Sequence, residues 1–384
     1  MKYSVPVELE SVLAAATREY NASGTFFLSR EYLTALHAKT NAFPRSLEQV
    51  IWGAEEIARD SDAACYALFL CRAMEHRELF MTAIKEIVLP DGDFPFLAIL
   101  AFAPYIDQLY DRLKAKDLPA DIIDATVGQF EECMFLYEER CGRLGMNMRY
   151  FDHMQRYLDF KILNIGRLRF ELHVLKDACM VESRKTGKQI LFPVSGEMNA
   201  HGLLADTPPI DKHANSFSAF FRETEDSFIG TPVNKSGRCE REPITLDKRE
   251  YFLRLPLYSN CLSVHIPARG ALTREACEAS YKRAMEIFPA LYPDTKFLAF
   301  RCHSWMMSPE LQEILRPGSN LLEFQEPYLK YPCKTRGEDI FNFVFKTTPC
   351  ELSTLPEDTS LQRALKERYL AGGYLYEYNG IFTV

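Results

Sequence analysis

The period of the apolar residues changes once along this chain, near Arg167, and a single regular architecture cannot absorb both halves. From residue 5 to about 163, apolar side chains recur at helical spacing and the breaks between segments are short and polar. From Arg167 the run RLRFELHVL alternates instead, as a half-buried strand must. This predicts a helical N-terminal region, residues 1–163, followed by a region of mixed sheet and helix, residues 164–384, with the boundary between 160 and 166.

Within the helical half, three long helices are expected. One covers Asp62 to Val88, with Ala64, Leu68, Cys71, Met74 and Phe80 on one side and Arg72, Glu75, His76 and Glu78 on the other. A second begins near Leu118, with Pro119 in its first turn and Asp121 and Asp124 at the positive end of the dipole, and runs to Arg140. A third covers Arg149 to Leu163 and is closed by Gly166.

In the second half, residues 177–250 are rich in polar, Gly and Pro stretches, and a hairpin with long loops is expected there. From residue 260 the predicted order is β-α-β-α-β-α-β. The strands lie at Asn260–Pro267, Phe297–Trp305, Ile340–Lys346 and Tyr374–Val384, and the helices at Thr273–Phe288, from Ser308 to before Pro317, and Thr359–Leu370. Pro289 is expected to end the first of these helices.

Composition narrows the class of function. Forty-five basic and 53 acidic residues give a net charge of −8, so no general attraction to nucleic acid or anionic lipid is expected. The N-terminal MKYSVPVELESVL lacks the apolar core of a signal peptide and no run reaches membrane-spanning length, so the expectation is a cytoplasmic protein with no membrane partner. Eleven cysteines without a CxxC or a repeated spacing predict neither a disulfide framework nor a metal site, and a reduced Cys in an apolar pattern acts as a small hydrophobe.

Two segments carry candidate chemistry. HIPARGALTREAC, residues 265–277, leaves a strand through a Gly-containing turn and opens a helix, the setting in which backbone N–H groups and the helix dipole hold an anion such as a pyrophosphate, with Arg269 adding charge. The strand before it places Cys261, Ser263 and His265 on one side. The strand ending in RCHSW places Cys302 and Ser304 on one side and Arg301, His303 and Trp305 on the other, so adjacent Cys302 and His303 do not form a nucleophile–base pair. Depending on register, His265 lies near Cys302 and Ser304 or near His303. Tyr328 and Tyr331, after Phe324, are candidates to protonate a leaving thiolate. Arg167 and Arg169 read as an anion site or as an ion pair between the two halves, the second being the expectation.

These stretches, with HIPARGALTREACEASYKRAMEIFP, FRCHSW, LRPGSNLLEF, the upstream GRLRFE and the late segment Leu355-Pro356 through Leu365, make the chain resemble bacterial acyltransferase-domain proteins. Those proteins join a helical N-acyltransferase domain to a C-terminal domain like the Gcn5-related N-acetyltransferases (GNAT), and the likeness extends along nearly the whole chain. It implies that the fourth strand, the turn after it and the following helix hold the pyrophosphate of coenzyme A, and that pantetheine inserts where the fourth and fifth strands splay. By order of elements, Ile266, Pro267, Arg269, Gly270, Ala271 and Thr273 fall in the donor-binding turn. The usual Gln/Arg-x-x-Gly-x-Gly/Ala loop is represented only by Arg269-Gly270-Ala271, which leaves a phosphopantetheinyl carrier protein open as donor beside acyl-CoA.

The resemblance implies transfer of an acyl group from a thioester to an amine of a small molecule or protein. His265 is then the candidate base, Ser304 or Tyr328 the acid, and Cys302 the nucleophile of an alternative acyl-enzyme route. A different class of function remains open, a GNAT-like binding or assembly module without catalysis.

Overall fold

The computed structural model describes residues 5–83, 94–147, 150–207, 215–335 and 337–384. Two compact units divide the chain, Met1–Asn164 and Ile165–Val384. The first contains α1 (Glu10–Ser23), α2 (Arg30–Thr40), α3 (Leu47–Arg59), α4 (Ser61–Ala73), α5 (Arg77–Ala83), α6 (Leu97–Ala115), α7 (Ala120–Val127), α8 (Gln129–Cys141) and α9 (Phe151–Leu158). Its centre is α4, in which every residue from Ala63 to Cys71 is buried, so the helix is apolar on all sides. Asp60 fixes its start by accepting from the backbone N–H groups of Asp62 at 3.0 Å and Ala63 at 3.1 Å. No helix among the described residues is long and apolar enough to cross a membrane.

The expected long helices are shorter here. Asp62–Val88 divides into α4 and α5 at Met74–His76, and residues 84–88 lie outside the described residues. Leu118–Arg140 divides at Gly128, and Pro119 stands before α7 as its cap. The helix expected over Arg149–Leu163 covers Phe151–Leu158; Arg149 lies outside the described residues, and Phe160 adopts a left-handed φ of 66° that ends the helical run. Ile162–Ile165 is already a strand, and Gly166, at φ 62°, makes the turn into the next one instead of closing a helix.

Among the described residues, thirteen strands follow in order: β1 (Ile162–Ile165), β2 (Leu168–Val174), β3 (Ala178–Ser183), β4 (Gln189–Pro193), β5 (Ser195–Met198), β6 (Phe217–Glu223), β7 (Ser227–Gly230), β8 (Ile244–Asp247), β9 (Tyr251–Leu255), β10 (Asn260–His265), β11 (Phe297–Ser304), β12 (Leu329–Pro332) and β13 (Tyr378–Thr383). The main sheet has the order β1-β2-β10-β11-β13-β12, in which β10 and β11 run parallel and their outer neighbours β2 and β13 run antiparallel to them. Residues 177–250 are not one hairpin with long loops: they supply a three-stranded sheet, β4-β3-β9, completed by Tyr251–Leu255, and a four-stranded sheet, β5-β6-β7-β8. Short alternations such as SFIG and ITLD are too brief to stand out in sequence from the turns around them.

The helices of this unit are α10 (Arg274–Leu291), α11 (Asn320–Gln325), α12 (Glu338–Ile340) and α13 (Ser360–Leu370). Thr359 caps α13 through a reciprocal pair with Gln362. Pro289 does not terminate α10, which runs on to Leu291, because a proline near the C-terminal end removes one N–H from a helix already formed. The segment from Ser308 forms a 3₁₀ turn, Pro309–Glu313, and β12 appears where no strand was expected. Ile340–Lys346 is helical, α12 continuing into a wider turn over Phe341–Phe345. There Ile340 and Phe345 are buried with Phe341 and Val344 against the same cluster, a helical spacing hidden in an apparently alternating run.

On one face of the main sheet, Phe170, Phe300 and Phe382 meet Tyr281 of α10 and Tyr328, with ring centroids 4.8 to 6.1 Å apart. Each such pair contributes about 0.5–1.5 kcal/mol beyond its burial. On the other face, Cys261, Ala299, Ile381 and Tyr331 pack with Met180, Leu191 and Leu255 of the three-stranded sheet. The main sheet is thus packed on both sides, and it has an open end where its two central strands part.

Candidate active site

That open end is built by a divergence of the two central strands. The parallel ladder between β10 and β11 ends at Ser263↔Arg301. Both strands continue: β10 stays paired with β2 as far as His265↔Arg169, and β11 stays paired with β13 as far as Ser304↔Tyr378. Each central strand therefore leaves the other to follow its outer neighbour. Val264–His265 and Cys302–Ser304 form the two arms of a wedge whose facing backbone edges have left the shared ladder.

The turn that follows β10 is anchored from behind. Arg167 donates from Nη2 to the carbonyls of Pro267 (3.1 Å) and Gly270 (2.8 Å) and from Nε to that of Ala271 (3.0 Å). Its own backbone N–H donates to Ser280 Oγ at 2.8 Å, which ties β2 to α10. Because a trans peptide sets each C=O opposite the next N–H, the N–H groups of Ala268, Ala271 and Leu272 point away from the guanidinium. Gly270, at φ 89°, makes the reversal, Arg269 is exposed, and Thr273 caps α10 by accepting from Ala276 N–H at 3.3 Å. The expected ion pair between the halves is replaced, for Arg167, by these three carbonyls. Burial lowers the pKa of its guanidinium, with Arg169 nearby adding to the effect.

The register decides which candidates meet. Ser263↔Arg301 places His265 on the face of Arg301 and His303, and leaves Cys302 and Ser304 on the opposite face with α10. His265 Nε2 lies 2.8 Å from Glu171 Oε2 on β2, and Glu171 is 14% exposed. His173, two residues further along β2, has its pKa lowered by burial and by the positive charge of Arg301. Ser304 Oγ accepts from Met306 N–H at 3.0 Å and starts the turn Trp305–Met307. Tyr328 is buried, and its hydroxyl sits 2.8 Å from that of Tyr281; burial pushes both phenols well up, so both stay protonated. Cys302 is 1% exposed and its thiol is pushed up to about 12 by burial, the reverse of what an activated nucleophile needs.

A cavity of about 390 Å³ opens on the α10 face, lined by Arg274, Cys277, Tyr281, Phe324, Pro327 and Phe382 among others. An ion pair between Arg274 and Glu326 crosses its rim. Among the described residues, no group of three or more His, Cys, Asp or Glu side chains is placed to hold a metal ion.

A six-stranded sheet split between parallel neighbours, with a helix-capping turn at the split, agrees with the match of residues 162–382 to the family described as GNAT-like C-terminal domain. The chain belongs to that family. Solved structures share the fold of this GNAT-like chain over nearly its whole length. An acyltransferase in complex with decanoyl-CoA and teicoplanin superposes with a TM-score of 0.58 at 18% identity, over 92% of this chain and 88% of that one. A mutant acyltransferase in complex with octanoyl-CoA superposes with a TM-score of 0.57 at 17% identity, over 98% of this chain and 100% of that one. None of the curated proteins matches the chain.

Three parts of the site were not among the expected residues: Glu171, Tyr281 and the anchoring role of Arg167. The signal for Glu171 was present, since RLRFELHV sets Arg169, Glu171 and His173 on one face of a strand whose other face is apolar. Tyr281 was expected only as one residue of an apolar helix face, and nothing local reveals its hydroxyl contact with Tyr328.

Proposed function

We propose that this GNAT-like domain transfers an acyl group from acyl-CoA to an amine by direct attack. The observation that carries the reading is the split of β10 from β11 beyond Ser263↔Arg301, beside a turn whose amides are turned outward. The donor's pyrophosphate rests on the amides of Ala268, Ala271 and Leu272 with Arg269, at the N-terminal end of α10. Ile266, Pro267, Gly270 and Thr273 shape that turn, and the pantetheine arm enters the wedge. The apolar floor of the α10-face cavity takes the acyl chain. The fold shared with acyltransferases that hold decanoyl-CoA and octanoyl-CoA supports coenzyme A as carrier over a phosphopantetheinyl protein.

At the centre, the amine nitrogen bonds to the thioester carbonyl carbon and the C–S bond breaks. Oriented by its contact with Glu171, the imidazole of His265 takes the amine proton. The leaving thiolate takes a proton from Tyr328 or Ser304, and backbone N–H groups on the wedge polarise the carbonyl. Cys302, buried and protonated, has no part in an acyl-enzyme.

The test is release of free coenzyme A from octanoyl-CoA in the presence of amines, with wild type and His265→Ala. Amine-dependent turnover lost in His265→Ala is expected. Full turnover in that variant removes His265 as base; a protein that binds no acyl-CoA and transfers nothing is a binding module instead.

A further inference from the structure

The face of the main sheet that carries His265 holds a second cavity, of about 230 Å³, lined by Asp177, Ser195, Arg301, His303, Lys334 and Asn379 among others. Its lining differs from that of the α10-face cavity: these charged and polar groups share it with Pro193, Met198, Leu204, Pro332 and Cys333, and among the described residues no Phe, Tyr or Trp lines it. Arg301 is 12% exposed, whereas its partner Asp177, at 3.2 Å, is 42% exposed. The Asp177 carboxylate is held rigidly. Oδ1 accepts from Tyr331 Oη at 3.1 Å, and Oδ2 accepts from Arg301 Nη2 and from Asn379 Nδ2 at 3.0 Å. Arg301 also donates to Asn379 Oδ1 at 2.7 Å. A carboxylate has about four acceptor sites, so three fixed donors leave room for one more from a ligand.

This cavity and the His265–Glu171 pair lie on the same face of the sheet. Arg301 is the β11 partner of Ser263, and His265 follows two residues later on the same face, roughly 7 Å along the strand. Ser263 stands between Glu171 and Arg301 in the register, and His173, opposite Cys261, is close enough to feel Arg301, Asp177 and Glu171 together. His303 lines the cavity on the β11 arm of the wedge and stands 3.7 Å from the buried carboxylate of Glu377.

Resting on the acyl-transfer reading above, we propose that the cavity at Asp177, Arg301 and His303 is the acceptor subsite, and that it takes a compact, polar amine. Asp177 receives a hydroxyl or ammonium N–H of the acceptor, while its nucleophilic nitrogen stands at the wedge before His265. Donor and acceptor approach from opposite faces of the sheet and meet where β10 and β11 part. At about 230 Å³ the space is below the range of pockets that enclose drug-sized ligands, so it holds one small polar group, whether a free metabolite or the reactive end of a larger molecule.

The experiment measures acyl transfer from octanoyl-CoA to glucosamine, lysine and n-hexylamine with the full chain, alongside the thermal shift produced by octanoyl-CoA alone. Wild type is expected to favour the two polar amines. Asp177→Asn should raise KM for the favoured polar amine at least tenfold, leaving KM for octanoyl-CoA and its thermal shift within twofold of wild type. Ser195→Trp, which fills the cavity and leaves the Asp177, Arg301 and Asn379 side chains in place, should do the same and guards against misfolding of the first variant. Wild-type transfer with an unchanged acceptor KM in both variants overturns the subsite and leaves the acyl-transfer reading standing, as does a preference for n-hexylamine. Binding of octanoyl-CoA with no transfer to any amine overturns the acyl-transfer reading, and the subsite with it.

Discussion

Glu171 Oε2 and His265 Nε2 meet at 2.8 Å across the antiparallel pair β2–β10, two residues off the direct register, since Glu171 faces Ser263 and His265 faces Arg169. A carboxylate on one side of an imidazole fixes which nitrogen carries the proton and how the ring is turned, so the two act as a unit. Removing the base should lower kcat by about 10²–10⁴-fold in His265→Ala. Glu171→Gln should lower kcat by less and leave KM for acyl-CoA unchanged, since it disturbs orientation and not donor contacts. Steady-state kinetics on both variants checks this, and equal losses in kcat/KM for every substrate with an altered thermal midpoint would instead mark a purely structural pair.

Coenzyme A and its acyl thioesters should stabilise the protein in a saturable way. Ligand at about 100 times its dissociation constant adds roughly 2.7 kcal/mol, a shift of a few degrees for a chain of this size. Arg269→Glu should remove most of that shift, because it places a negative charge beside the outward amides of Ala268, Ala271 and Leu272. A thermal-shift titration decides it, and an undiminished response in the variant would move the donor away from this turn.

Cys302→Ser should retain most of the activity. The thiol is buried and pushed up to about 12, and the acyl group passes directly to the amine. Intact mass after incubation with octanoyl-CoA should show no covalent adduct; an adduct lost in Cys302→Ser would establish an acyl-enzyme.

Gly166→Ala should destabilise the fold. The position has a φ of 62°, and an added Cβ would come 2.7 Å from Ser280 Oγ, the atom that accepts from Arg167 N–H. The left-handed conformation alone costs about 1–2 kcal/mol for an alanine. The expected result is a lower midpoint in urea and, because Arg167 anchors the 267–271 turn, weaker binding of acyl-CoA.

His173 makes stability depend on pH. Its pKa is lowered in the folded state by burial and by Arg301, so the unfolded chain binds the proton more readily. Stability is fully present above the unfolded value near 6.5 and falls as pH drops from there toward the folded value. Urea midpoints at pH 7.5 and 5.5 should differ in that direction, and the part of the difference due to this side chain should vanish in His173→Gln.

Local signals carried some of this architecture and could not carry the rest. The alternation from Arg167, the strand Asn260–His265, the turn with Gly270 and the cap at Thr273 were legible because each depends on residues within a few positions of one another. Ile340–Lys346 was not, since IFNFVF fits a strand and a helix equally until Ile340 and Phe345 are seen against Leu365 and Tyr369. The strands of residues 178–247 were too short for their period to rise above the turns between them.

The sequence by itself set the change from helix to sheet, the order strand–turn–helix–strand that makes the donor turn, and the two sides of each strand, because covalent geometry and period two need no partner to act. Which strand sides face each other is a property of register, and register is settled by packing between segments far apart in the chain. Only the tertiary structure could therefore put His265 beside Glu171 and on the face of Arg301, bury Cys302 under α10, close Tyr328 against Tyr281, and part β10 from β11 where a thioester can enter.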